Sequence, residues 1–180
     1  MFSTIPCLIA SSANSSCVQS VNIAAFAMET IRRWWTMMGQ DRYPPATKLL
    51  ITADSRGSNG ARVRLCTTEL QQLANETGLV ITVCRLPADT SKWNKIEHCL
   101  FSFISMNWRG RPLTDYQTII ELIGATKTST GLEVRCQFDT NQYPKGIKIP
   151  DNLLAQLNIV RHTLRGEWNY TIYPAKDVKS

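Results

Sequence analysis

Two short apolar runs, "KLLITAD" (48–54) and "LVITVCRL" (79–86), flank a stretch with helical patterning, "ARVRLCTTELQQLANETG" (61–78). The runs have β-branched centres and lack the polar alternation of a strand with one wet face. Such strands are buried on both faces, as in a parallel pair. A helix of the intervening length is the crossover that lets two parallel strands lie side by side. This unit commits the chain to an α/β layer fold with a partly parallel sheet.

The remaining segments hang on that unit. In "AAFAMETIRRWWTMMG" (24–39), Ala27, Ile31, Trp34, Trp35 and Met38 recur at three- and four-residue spacing. That predicts an amphipathic helix with Gly39 as its C-cap, broken by "YPPAT". A third helix is expected from Thr90 or Ser91 as N-cap to Trp108, and a fourth over 113–127. "GLEVRCQFD" alternates like a strand, "PDNLLAQLN" suits a short helix, and "GEWNYTIYP" reads as a final strand or extended arm. The expected organisation is a Ser-rich, poorly ordered lead (1–23), a core (24–127) and a C-terminal extension of the same domain (128–180). Whether the tail from Thr130 is an appendage or packs on the core stays open, as does the role of the "WNY" aromatics.

Composition narrows the class. At 180 residues, 43% hydrophobic and 19% charged, the chain is one soluble globular domain's worth. A net charge of +6 and a pI near 9.1 admit an anionic partner without requiring one. No stretch approaches the ~20 apolar residues of a membrane span. The opening "MFSTIPCLIASSANSSC" has no basic n-region, and Pro6 interrupts its apolar run, which argues against an export signal. Cysteines at 7, 17, 66, 84, 99 and 136 show no C-x-x-C spacing, and two histidines offer no finger-like pairing, so zinc is not expected. Cys84 and Cys99 lie in apolar runs and read as small buried hydrophobes, with reduced thiols in a cytosolic protein.

Asp54 stands where a parallel strand ends, the place where functional groups gather in open α/β sheets. The loop after it, "DSRGSNG", is neither a G-x-G-x-x-G fingerprint nor a P-loop, and Arg56 spoils an EF-hand reading. Asp54 is thus either a turn cap or a functional carboxylate. Glu97, in "TSKWNKIEH" (90–98), lies on the helix after the second strand. Asn94, Glu97 and Phe101 share a helical face, with Lys95 and His98 one step round it. Flanking Trp93, Ile96, Leu100 and Phe101 suggest a partly buried helix, though a solvated helical Glu stays open. Two carboxylates on rigid elements above one sheet edge can converge on paired Mg²⁺ or Mn²⁺ ions ~3.5–4 Å apart, the arrangement that drives phosphodiester cleavage.

The blocks "LLITADSRGSNGARVRL", "ITVCRLPADTSKWNKIEHCLFSFISMNWRGRPL", "TGLEVRCQFDTNQYPKGIKI" and "GEWNYTI" closely resemble the Rhodopirellula-type transposase DDE domain of bacterial insertion sequences, from about Phe26 to Tyr173. The resemblance implies an RNase H-like mixed sheet with flanking helices and an α+β tail. It implies metal-dependent DNA cleavage and strand transfer on transposon ends and target DNA, in a bacterial cytoplasm at the nucleoid. By it Asp54 matches the second catalytic Asp and Glu97 the catalytic Glu, both ligands of Mg²⁺ or Mn²⁺. Lys92, Lys95 and His98 then line the DNA approach, and Arg56 is either drift or a phosphate contact. Arg109 and Arg111, beside Trp108 in "NWRGRP", are the strongest DNA-contact pair by composition. Arg32–Arg33, Arg62–Arg64 and Lys145–Lys148 read as solvated surface.

The family pattern needs a third carboxylate, on an opening strand, and no acid precedes Glu29. The only candidate leading strand is "CVQSVNI" (17–23). The expectation is therefore a truncated or recombined copy, catalytically dead and prone to self-association through uncovered sheet edges. A rival expectation is a non-catalytic DNA-binding or oligomerising modulator of an intact transposase. The lack of a glycine fingerprint after either strand counts against an unrelated cofactor-binding domain.

Overall fold

The computed structural model describes residues 5–10, 23–54, 60–87, 95–129, 131, 134–143 and 146–175, with the backbone alone for 5–10, 23, 54, 60–62 and 95–97. In chain order these form β1 (Ile5–Ala10), α1 (Ile23–Trp34), a π-helical turn (Trp35–Gly39), α2 (Gln40–Arg42), β2 (Lys48–Asp54), α3 (Gly60–Thr77) and β3 (Val80–Leu86). Then follow α4 (Lys95–Trp108), α5 (Tyr116–Gly124), β4 (Val134–Asp139), α6 (Asp151–Ala155), β5 (Ile159–Arg161) and β6 (Asn169–Ile172).

The β2–α3–β3 unit forms as expected, but β2 is not buried on both faces: Leu50 on it is 63% exposed. β2 and β3 run parallel, Lys48 opposite Val80 and Asp54 opposite Leu86, in a mixed sheet of order β2-β3-β6-β5. β6 lies antiparallel to β3, with Ile81 opposite Ile172, and β5 is antiparallel to β6. β1 pairs in parallel with β4 as a separate two-stranded sheet. Neither β1 nor β5 was expected. β5 is three residues long, too short for a periodicity to register. Of the "CVQSVNI" candidate, Ile23 opens α1 and the rest lies outside the described residues.

The main core lies between the sheet and the helices α1 and α3. Leu70, Leu73 and Ala74 form the buried stripe of α3 and meet Ile81 and Val83 of β3 and Tyr170 and Ile172 of β6. Ile81 and Ile172 have no exposed surface, and burying a side chain of that size stabilises by roughly 1.5–3 kcal/mol. The chain's tail therefore belongs to the core and is not an appendage. Gln71 fixes it from the helix side: its Nε2 donates to the Tyr173 carbonyl (2.8 Å), and its Oε1 accepts from the Asn158 N–H (2.7 Å). α3 stops where Gly78 turns left-handed at φ 72° and its N–H reaches back to the Ala74 carbonyl.

Several local expectations are corrected. The first helix does not end at Gly39; it runs through the π turn to Arg42, just ahead of Pro44. Gly39 serves a close approach instead, because a Cβ there would stand 2.6 Å from Cε3 of Trp35. The fourth helix begins at Tyr116, capped by Asp115, whose carboxylate accepts from the Thr118 N–H at 2.7 Å. α4 is described from Lys95 onward, so Thr90 and Ser91 lie outside the described residues. Cys99 is exposed, not buried, since the α4 stripe runs through Leu100 and Ile104 and leaves Cys99 to one side. Phe101 is likewise 52% exposed. Among the described residues Cys66, Cys84 and Cys99 are free cysteines.

Candidate DNA and metal site

Asp54 closes β2 opposite Leu86, which closes β3, so the parallel pair ends level at one carboxyl edge. Glu97 is the third residue of α4. The main packing of α4 is on α5, with Leu100 and Ile104 joining Ile123 and Val134 of β4 in a second apolar cluster. β2 borders the main core and α4 packs in the second cluster, and of Asp54 and Glu97 the backbone alone is described.

Sequence reasoning missed the acid with the most developed surroundings. Asp139 ends β4, paired in parallel with Ala10 of β1, and is only 1% exposed. Burial by itself pushes its carboxyl up. Hydrogen bonds from the Tyr143 hydroxyl and the Asn141 N–H, with the Arg33 guanidinium at 2.9 Å, outweigh burial and hold it below the usual carboxylate range. Burial, followed by the bond to Asp139, pushes the Tyr143 phenol up to about 12. The available signal was an acid at the end of the alternating run "GLEVRCQFD", the same position Asp54 holds in its own strand.

The donor set bears on a divalent metal. Asp54 and Glu97 carry the hard oxygens that Mg²⁺ or Mn²⁺ prefers. Asp139 accepts hydrogen bonds from Arg33, Asn141 and Tyr143. Among the described residues no group of three or more His, Cys, Asp or Glu side chains gathers to hold an ion. The described residues do not complete a metal site.

The basic residues sort themselves by partner. Lys92 and Arg56 lie outside the described residues, and Lys95 is described as backbone in the first turn of α4. His98 lies exposed on α4. Arg109 and Arg111 are exposed around Gly110, whose φ of 73° turns the chain after α4. Trp108 is half-buried and packs on the second apolar cluster, which competes with base stacking. Arg32 and Arg33 are not solvated surface. Arg32 meets Glu29, Glu69 and Glu76 at 3.1, 3.5 and 3.0 Å, and Arg33 meets Glu29 at 2.8 Å as well as Asp139. Arg64 pairs with the exposed Asp151.

Fold and site together define a mixed α/β domain with an acid at the carboxyl edge of a parallel strand pair and a basic turn on its surface. The chain belongs to the Rhodopirellula transposase DDE domain family, which matches residues 8–174. The match begins upstream of Phe26, so it takes in part of β1 as well as the blocks that carry the resemblance. Neither a curated protein nor a solved structure matches the chain. The family supports a transposase-type function with DNA as substrate, and its members generally use divalent metals. Among the described residues no helix is long and apolar enough to cross a membrane.

Proposed function

We propose that the chain carries an RNase H-like DDE transposase core that binds DNA and, as these 180 residues alone, does not cut it. Asp54 is its second catalytic acid and Glu97 its catalytic Glu, both inherited metal ligands. The observation that carries this reading is the position of Asp54 at the level end of two parallel strands in a chain matched by the family over 8–174. When bound, Mg²⁺ or Mn²⁺ would neutralise the charge that develops on a phosphodiester under attack. In this reading the two acids assigned within these 180 residues supply fewer ligands than a two-metal site takes, so the 180 residues by themselves should not turn over. The basic side chains Arg109, Arg111, His98, Lys95, Lys92 and Arg56 retain the DNA-facing role in this reading. Incubation with transposon-end DNA and Mg²⁺ or Mn²⁺ should give no specific nicking. Robust metal-dependent cutting that disappears in Asp54→Asn would overturn the inactivity and keep the site assignment.

A second reading, a non-catalytic oligomerising partner of an intact transposase, is favoured by one observation. Among the described residues β2 is an outer strand of its sheet, and Leu50 on it is 63% exposed. A metal-independent, salt-sensitive gel shift of transposon-end DNA, with a thermal midpoint that Mg²⁺ does not move, supports this reading over the first.

A further inference from the structure

We propose that Cys7 of β1 and Cys136 of β4 form a redox latch, an intrachain disulfide made and broken by exchange with a small disulfide such as oxidised glutathione. The pairing register carries the assignment. β1 runs parallel to β4, and Cys7 stands directly opposite Cys136, between the rows Pro6–Arg135 and Leu8–Gln137. Neighbouring strands lie about 4.7–4.9 Å apart, inside the roughly 4.4–6.8 Å that a disulfide spans between Cα atoms. Two residues of one register row also fall on the same face of the pleat. Cys66, Cys84 and Cys99 lie on three other elements, α3, β3 and α4.

The packing around Cys136 leaves space and access. Val134 and Cys136 face the second apolar cluster, and Gly124 of α5 lies over the Cys136 position. A methyl on Gly124 would reach only to 3.9 Å from the Cys136 Cβ, so the helix crosses there without filling the space. Cys136 is half-buried and within reach of a small disulfide. Cys66 is a poorer nucleophile, because burial pushes its thiol up and lowers the thiolate fraction.

The exchange is balanced. The thiolate of one cysteine attacks a glutathione sulfur and expels the first glutathione thiolate. The other cysteine attacks the mixed disulfide, which forms the Cys7–Cys136 bond and expels the second. The protein loses two electrons and two protons, and two glutathione thiols carry them. The bond would close the chain from β1 to β4 around α1, β2, α3, β3, α4 and α5, a long loop whose closure removes much freedom from the unfolded chain. It would also pin β1 to the strand that ends at Asp139, opposite Ala10. Once reduced, β1 is held by its ladder to β4 and its packing on α1. None of this depends on the transposase reading.

The test equilibrates the full chain with oxidised or with reduced glutathione, digests it without reduction and maps the linked peptides by mass spectrometry. Oxidation should join Cys7 to Cys136 and remove two of the six cysteines from reaction with a thiol reagent in denaturant. The melting midpoint should rise by about 5–10 °C over the reduced protein. That rise should be absent in Cys7→Ser and in Cys136→Ser, and Cys7→Ser carries the test if Cys136→Ser fails to fold. Six reactive thiols after oxidation, or Cys7 joined to Cys17 instead, overturns the latch. A Cys7–Cys136 link that leaves the midpoint unmoved overturns its stabilising role.

Discussion

Arg33 on α1 and Asp139 at the end of β4, 106 residues apart in sequence, meet at 2.9 Å with the carboxylate almost wholly buried. The contact joins the first helix to the strand that pairs with β1, and Glu29 holds Arg33 in place from one helical turn back. Its energetics are those of a buried pair: removing one partner strands the other's polar groups. Asp139→Ala leaves the Tyr143 hydroxyl and the Asn141 N–H without their acceptor, while Arg33 keeps Glu29. The expected loss is about 3 kcal/mol, lowering the melting midpoint by roughly 10 °C, as read by calorimetry.

The same carboxylate sets an acid limit. A folded-state value below the unfolded one means that its contribution is complete above about pH 4 and is lost as pH falls through the depressed folded value. Stability of the wild type should drop in that acid window, and the drop should be smaller in Asp139→Asn, which carries no titrating group there. Equal acid slopes in urea titrations of the two proteins would remove Asp139 from the account.

Tyr143 gives the mirror case at high pH. Its phenol is raised to about 12, so the protonated form is the one the fold favours. The stabilisation is whole below about pH 10 and is lost as pH climbs towards the folded value. Ultraviolet titration of phenolate should show Tyr143 and the buried Tyr170 ionising later than an exposed tyrosine, and Tyr143→Phe should remove one of these late components.

Gly39 and Gly124 should respond oppositely to alanine. At Gly39 the new methyl would sit 2.6 Å from the Trp35 ring, which is half of the close approach inside the π turn. The expected cost is about 1–3 kcal/mol, against a helix-propensity gain of at most about 1 kcal/mol. At Gly124 the nearest atoms lie 3.9 Å away, an ordinary contact, so Gly124→Ala should be neutral or stabilise by up to about 1 kcal/mol. Denaturant midpoints of the two variants, with unchanged slopes, decide the matter.

What was legible in the sequence follows from the range of each signal. The β2–α3–β3 unit announced itself because its period, length and Gly78 stop are all local. Arg32 and Arg33 read as surface because a helix pattern shows only its own element, and their partners beyond Glu29 lie on α3 and β4. Asp139 escaped for the same reason: the residues that hold it come from α1 and from the turn after β4. Gly39 misled because a glycine after an apolar run signals a cap unless a bulky ring one turn earlier needs the space. Placing β6 beside β3 required knowing that Ile81 lacked a neighbour, which no window along the chain reveals. Of the candidate site, the family blocks gave Asp54 and Glu97 their roles, and only the backbone of each is described.

The edge of β2 that no described strand pairs makes the last prediction. β2 has β3 on one side and no described strand on the other, and Leu50 presents 63% of its surface. An outer strand with free N–H and C=O groups and an exposed apolar side chain is a template for another chain. The protein should therefore self-associate with rising concentration, visible by sedimentation. Leu50→Lys puts a charge on that edge without touching the main core, so folding stability should change by no more than about 0.5 kcal/mol. The association should weaken, because pairing two copies would then bury or oppose the new ammonium groups. Association of unaltered strength in Leu50→Lys would place the contact elsewhere, and the exposed Phe101 and Met106 of α4 would be the next surface to charge.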